Sequence, residues 1–176
     1  RDSQALGIAT IYQDRALVDS VSIYRNIFMG NEITSAAGFM GKGEMRDITR
    51  KLLQESISIG LSNPDQTVGE LSGGQKQAVA IVRAIHFKAR LLLLDEPTNA
   101  LSVKESQQVM AFVKGLRDEG ISSIFVTHNL FQAKRLAERV GLLLDGAFVE
   151  VGPTQQVFEH PARAETQAFL SGEMAY

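Results

Sequence analysis

Four consecutive leucines, Leu91 to Leu94, run directly into Asp95-Glu96-Pro97. No other feature limits the possible folds as much. Successive strand residues point to opposite faces, so an unbroken apolar run calls for cover on both, as in a strand inside a parallel sheet. The flanking pattern agrees. A helix over about Ser72 to Phe87 leads to RLLLLD (90–95), and a second helix, about Val103 to Glu119, stacks Val109, Val113 and Leu116 and stops at Gly120. ISSIFVT (121–127) reads as the next strand, 129–139 as a helix and VGLLLD (140–145) as another strand. Asp145-Gly146 then turns the chain into AFVEVG (147–152), a hairpin signal, and Pro153 opens a short helical tail interrupted at Pro161. Helix and strand in alternation predict an open α/β sheet.

The first part of the chain has a different texture. DSQAL reads as the end of a helix, followed by Gly7 and the short strand IATIY. Val21, Tyr24, Ile27 and Phe28 recur at helical spacing in 20–30, and RDITRKLLQESISIG (46–60) repeats the pattern across a glycine-dotted loop at 35–44. This stretch is a mostly helical insertion. A chain of 176 residues with 44% hydrophobic and 22% charged residues can bury a core without staples. It has no cysteine, which excludes disulfide scaffolds, thiol catalysis and Cys-bound metals. With 18 basic and 20 acidic residues, no broad surface for a nucleic-acid backbone is implied. The apolar runs fall far short of the roughly 20 residues that a membrane span needs.

Two segments carry chemistry. In LSGGQKQAVAIVRA (71–84), Ser72 stands where an N-cap belongs, and two glycines leave the first helical turn without side chains. The Ser72 hydroxyl and exposed amides of Gly73 and Gly74, at the positive end of a helix, form an expected anion site. Taken alone, the glycine pair also reads as a flexible turn. In LLLLDEPTNALS (91–102), Asp95 and Glu96 fall at the carboxyl end of a strand, where open α/β sheets gather their ligands. For both carboxylates to serve one site, the chain must turn at Pro97. One carboxylate then suits a hard cation, the other an attacking water.

LSGGQ followed by LLLLDEPT resembles the ATP-binding-cassette ATPases: the first resembles the family signature, the second its Walker B strand. Gln13, ending IATIYQ, matches the glutamine of the Q-loop, and His128, ending IFVTH, matches the switch histidine. The likeness covers about residues 7–152 and is closest in flavour to the simple-sugar importers. It implies a partial P-loop NTPase fold, with a RecA-like, mostly parallel sheet and a helical subdomain insertion. Residues 1–13 and 73–152 would form the ATPase core, 14–72 the helical signature subdomain and 153–176 a C-terminal helical tail. It also implies roles: Glu96 and His128 catalytic; Gln13, Ser72, Gly73, Gly74, Gln75 and Asp95 binding ATP; Gln13 and Asp95 holding Mg2+, partly through water. His86 and His160 receive no role.

The phosphate-cradling loop has no match. AAGFMGKG (36–43) has Ala36 at the first glycine position and Gly43 where a Ser/Thr should ligate magnesium, and it follows Gln13 instead of preceding it. That loop is therefore expected upstream of Arg1, and residues 1–176 alone are expected to bind nucleotide no more tightly than about millimolar and not to hydrolyse it. Such a truncation would also expose an apolar flank of LLLL and IFV. Ser102 stands where many family members carry an aspartate in the D-loop. The resemblance implies a head-to-tail homodimer or cassette heterodimer around two ATP molecules. Its permease partner would be contacted near 14–30, through Leu17, Val18, Ile27 and Phe28, on the cytoplasmic face of the inner membrane. The alternatives are a soluble ATPase of the same family acting in repair or translation, and a catalytically inactive remnant.

Overall fold

A computed structural model describes residues 2–12, 16–56 and 60–173. The chain divides into two compact units, residues 1–126 and 127–176. In the first, α1 (Asp2–Ala5) leads through Gly7, in the left-handed region at φ 74°, into β1 (Ile8–Ile11). The insertion contributes α2 (Ile23–Phe28) and α3 (Lys42–Ser56). A 3-10 turn at Val68–Glu70 precedes α4 (Gly73–His86), and β2 (Leu91–Asp95), α5 (Val103–Leu116) and β3 (Ser122–Val126) complete the unit. The strands lie side by side in the order β1-β2-β3, all parallel, with Leu92 opposite Ala9 and Ser123. The α/β reading holds.

Burial along β2 alternates instead of covering both faces. Leu92 and Leu94 are fully buried, whereas Leu91 and Leu93 are half-buried. The buried face packs against Ile81 of α4 and Val109, Val113 and Leu116 of α5. The expected apolar flank is therefore confined largely to β3, where Ile124 and Val126 are 51% and 54% exposed.

The helix α4 has two buried sides. Ala80 and Ile81 join the sheet core, while Ala78, Val79 and Val82 join a second core with Ile23, Tyr24, Ile27 and Phe28 of α2 and Met45 and Leu53 of α3. Burying both sides of one helix fixes its axis and the position of its N-terminus. Asn26, fully buried, ties the insertion's first turn: its Oδ1 accepts the Val18 amide at 2.7 Å and its Nδ2 donates to the Val18 carbonyl at 3.0 Å. The glycine-dotted stretch is shorter than expected. A small hairpin pairs Thr34 with Met40, and α3 already begins at Lys42.

In the second unit, α6 (Leu130–Leu136) is followed by β4 (Arg139–Leu144) and β5 (Ala147–Pro153), which pair antiparallel. Asp145 and Gly146 both have positive φ, 48° and 78°, as a two-residue hairpin turn requires. The tail forms α7 (Thr154–Glu159) and α8 (Ala164–Ser171), separated at Pro161. Glu150 on β5 accepts the amides of Ala162 and Arg163 at 2.9 and 3.2 Å, which pins the break between the two helices.

Candidate functional site: a signature turn and a strand end

Ser72 is the N-cap of α4, with extended backbone and a hydroxyl that accepts the Gln75 amide at 3.3 Å. Gln75 returns the favour through Oε1, which accepts the Ser72 amide at 3.0 Å. This reciprocal capping box satisfies two of the donors that a helix start leaves open. The next donor is not exposed as the sequence implies. Gly74 is buried, and its amide donates to Oε1 of Glu105 on α5 at 3.1 Å. The expected anion site thus already holds an anion, the chain's own carboxylate. The hydroxyl of Ser72 hydrogen-bonds Glu105 as well, and this is the largest of the interactions that hold the Glu105 carboxyl down to about 2; bonds from the side chain and amide of Ser102 and from the Gly74 amide add to it.

The turn after β2 falls at Pro97 as expected: the Asn99 amide donates to the Glu96 carbonyl at 3.0 Å, closing a turn with Pro97 and Thr98 at its centre. Glu96 enters this turn in the left-handed region at φ 45°, and Pro97 is buried. The Glu96 amide donates to the carbonyl of Val126 at 2.9 Å, which ties this turn to the end of β3. Ala100 is left-handed too, at φ 57°. Asp95 is exposed and Glu96 half-buried. Glu96 holds an unfavourable backbone geometry at the carboxyl end of a parallel strand, and such strain collects at functional sites.

Among the described residues no three His, Asp or Glu side chains group as a metal cage. A magnesium ion carried by a nucleotide asks for less, one or two protein carboxylates beside the phosphates, and Asp95 suits that donor set. His128 is exposed and lies in the second unit, between Thr127, whose hydroxyl accepts the Asn129 amide, and Asn129, the N-cap of α6. Gln13 lies outside the described residues. The structure therefore unites Ser72, Gly74 and Gln75 with Ser102 and Glu105, and sets Asp95 and Glu96 at the end of β2 in the same unit. Gly73 opens α4 between them and is half-buried.

Other residues settle into structural places. His86 stacks edge-on against Phe28 at 4.8 Å, and burial lowers its pKa. The segment 36–43 belongs to the small hairpin and the start of α3, so it is no phosphate loop between a strand and a helix. Ile27 and Phe28 are buried in the insertion core and cannot meet a partner; Val18 and Met29, 40% and 42% exposed, remain on the surface of 16–30. Lys76 on α4 reaches Asp19 at 2.9 Å and fastens this surface to the signature helix. Glu105 was missed in the sequence. Ser102-x-x-Glu105 spells a capping box, but nothing local says that the same carboxylate reaches Gly74.

The sequence profile of the ABC transporter family matches residues 1–99. The chain is 41% identical over 148 residues to the xylose/arabinose import ATP-binding protein of Sulfolobus acidocaldarius, covering 84% of this chain and 58% of that protein. It is 38% identical over 149 residues to the xylose import ATP-binding proteins of Escherichia coli and Shigella flexneri, covering 85% of this chain and 28% of each of theirs. It thus spans a little over half of the first relative and about a quarter of the others. The profile match, these identities and a parallel sheet with an insertion ahead of a capped signature helix agree: the chain belongs to the ABC transporter family.

Proposed function

We propose that this chain is part of the ATP-hydrolysing subunit of a sugar importer, coupling ATP-driven closure of two cassettes to uptake through a membrane permease. The observation that carries the reading is Glu96. A non-glycine residue held left-handed at the end of a parallel strand, beside an exposed aspartate, is an arrangement that costs stability and needs a chemical reason. The names of these relatives, import ATP-binding proteins for xylose and arabinose, support the sugar.

In this reading Glu96 accepts a proton from, and orients, the water that attacks the terminal phosphate. His128 takes the catalytic role that its match to the switch histidine implies, and Gln13 helps to orient water or metal. Ser72, Gly73, Gly74 and Gln75 serve the nucleotide bound by the partner cassette, so that hydrolysis requires closure. Magnesium, held by Asp95 and Gln13 in part through water, would neutralise phosphate charge when bound. Residues 14–72 act as the helical signature subdomain between the core segments 1–13 and 73–152, and 153–176 as the tail. The permease contact falls on the exposed Val18 and Met29 side of 14–30. No helix among the described residues is long and apolar enough to cross a membrane; the proposed place is peripheral, on the cytoplasmic face of the inner membrane.

The test is ATP hydrolysis by the chain extended to include a phosphate loop. Glu96→Gln should keep nucleotide binding and lower turnover at least ~100-fold, the low end for removing a general base. Near-normal steady-state turnover would sink the assignment.

A further inference from the structure

Glu105 sits in the first turn of α5, 31 positions along the chain from Gly74, yet its carboxylate serves both helices. Oε1 accepts the Gly74 amide at 3.1 Å. Oε2 accepts the Ser102 amide at 3.0 Å and the Ser102 hydroxyl at 2.7 Å. The Ser72 side chain bonds to the same carboxylate. Packing gives an independent sign that the contact is built in. A Cβ at position 74 would lie 2.9 Å from the Glu105 Cβ and 3.1 Å from its Cγ, so the approach needs glycine there.

We propose that Glu105 is a positioning residue that couples the signature turn to the turn after Glu96: its carboxylate occupies the Gly74 amide and Ser72 hydroxyl that a nucleotide phosphate would take, so a phosphate docking there also releases Ser102. Two anions cannot share one amide donor at a helix start, and the charge-assisted bonds given up are among the stronger ones a side chain makes. Once displaced, Glu105 no longer caps Ser102, and the first turn of α5 loosens where it joins Asn99-Ala100-Leu101. Events at the signature are thereby felt at the strand end through a single side chain. What the anion is rests on the ATPase reading above; the coupling does not.

The experiment is amide hydrogen exchange read residue by residue by NMR, in the unaltered chain and in Gly74→Ala, Glu105→Ala and Glu105→Gln. Gly74→Ala pushes Glu105 aside without changing its charge, and exchange at the Ser102 amide should rise at least about tenfold. Glu105→Ala should raise exchange at both Gly74 and Ser102. Glu105→Gln, with one acceptor oxygen in place of two, should release only one of them. Unchanged exchange at Val79 and Ile81 shows that α4 remains folded in each variant. Inorganic phosphate is the second probe: Glu105→Ala should bind it at the Gly74 amide about tenfold more tightly than the unaltered chain, because the competing carboxylate is gone. Ser102 exchange untouched by Gly74→Ala would overturn the coupling, as would a Glu105→Ala effect confined to Ser102, which would make Glu105 only the cap of α5. Equal phosphate affinity would overturn the displacement. None of these readouts involves ATP hydrolysis, so they stand apart from the Glu96→Gln test.

Discussion

The signature turn and the end of β2 are close to opposites in how they are held. At Ser72 the chain is at rest: extended backbone, a reciprocal capping box with Gln75, and a carboxylate on the Gly74 amide. At Glu96 it is strained, with two non-glycine residues in the left-handed region within five positions. One motif is made ready by satisfying the amides of Ser72, Gly74 and Gln75, the other by clamping an unfavourable turn between a strand-end hydrogen bond to Val126 and the buried Pro97. The contrast teaches that a preorganised site can be built from local bonds or imposed by its surroundings, and that mutations should separate the two.

The largest effect should come from the core of the strand that runs into the strained turn. Leu94, fully buried in β2, should cost about 2–5 kcal/mol when changed to Ala. Leu93→Ala, on the more open face, should cost clearly less in the same urea denaturation series. Equal losses would mean that β2 is covered on both faces after all. Ser72→Ala comes next. It removes a cap and should lower stability by about 1 kcal/mol in denaturant unfolding.

Glu96→Gly should move stability the other way. A left-handed non-glycine residue costs about 1–2 kcal/mol and a glycine's extra unfolded freedom about 0.5–1, leaving a net gain of about 0–1.5 kcal/mol. A loss in thermal or urea unfolding would show that Glu96 is stabilised where it stands and that the contrast with Ser72 is false. The smallest effect is a pH dependence specific to the signature turn. Glu105 is held down to about 2 in the folded chain, from an ordinary value of 4.5. Its contribution is therefore fully present above about 4.5 and fades as pH falls towards about 2. Acid titration of the unaltered chain against Glu105→Gln should show a shallower decline for the variant in that window, and parallel curves would contradict the bonds at Ser72 and Ser102.

Much of the architecture was legible because it is written in local periodicity. Turn residues at Gly7, Asp145-Gly146 and Pro161, and helical spacing in 72–87 and 103–116, need only neighbours in sequence to act. The face that Leu92 and Leu94 bury was not legible, since a run of four leucines looks the same from either side. Nor was the burial of Ile27 and Phe28, whose spacing serves a core as well as a surface.

By itself the sequence determined the order of elements, the N-cap at Ser72, the family, and the position of Asp95-Glu96 at a strand end. Each depends on residue type at fixed short spacing. The tertiary structure alone decided that α4 would be wedged between two cores, that Glu96 would enter its turn in a left-handed conformation, and that Glu105 would reach Gly74. These depend on which distant segments share space: the carboxylate and the amide meet only because α4 and α5 pack on the same face of one sheet.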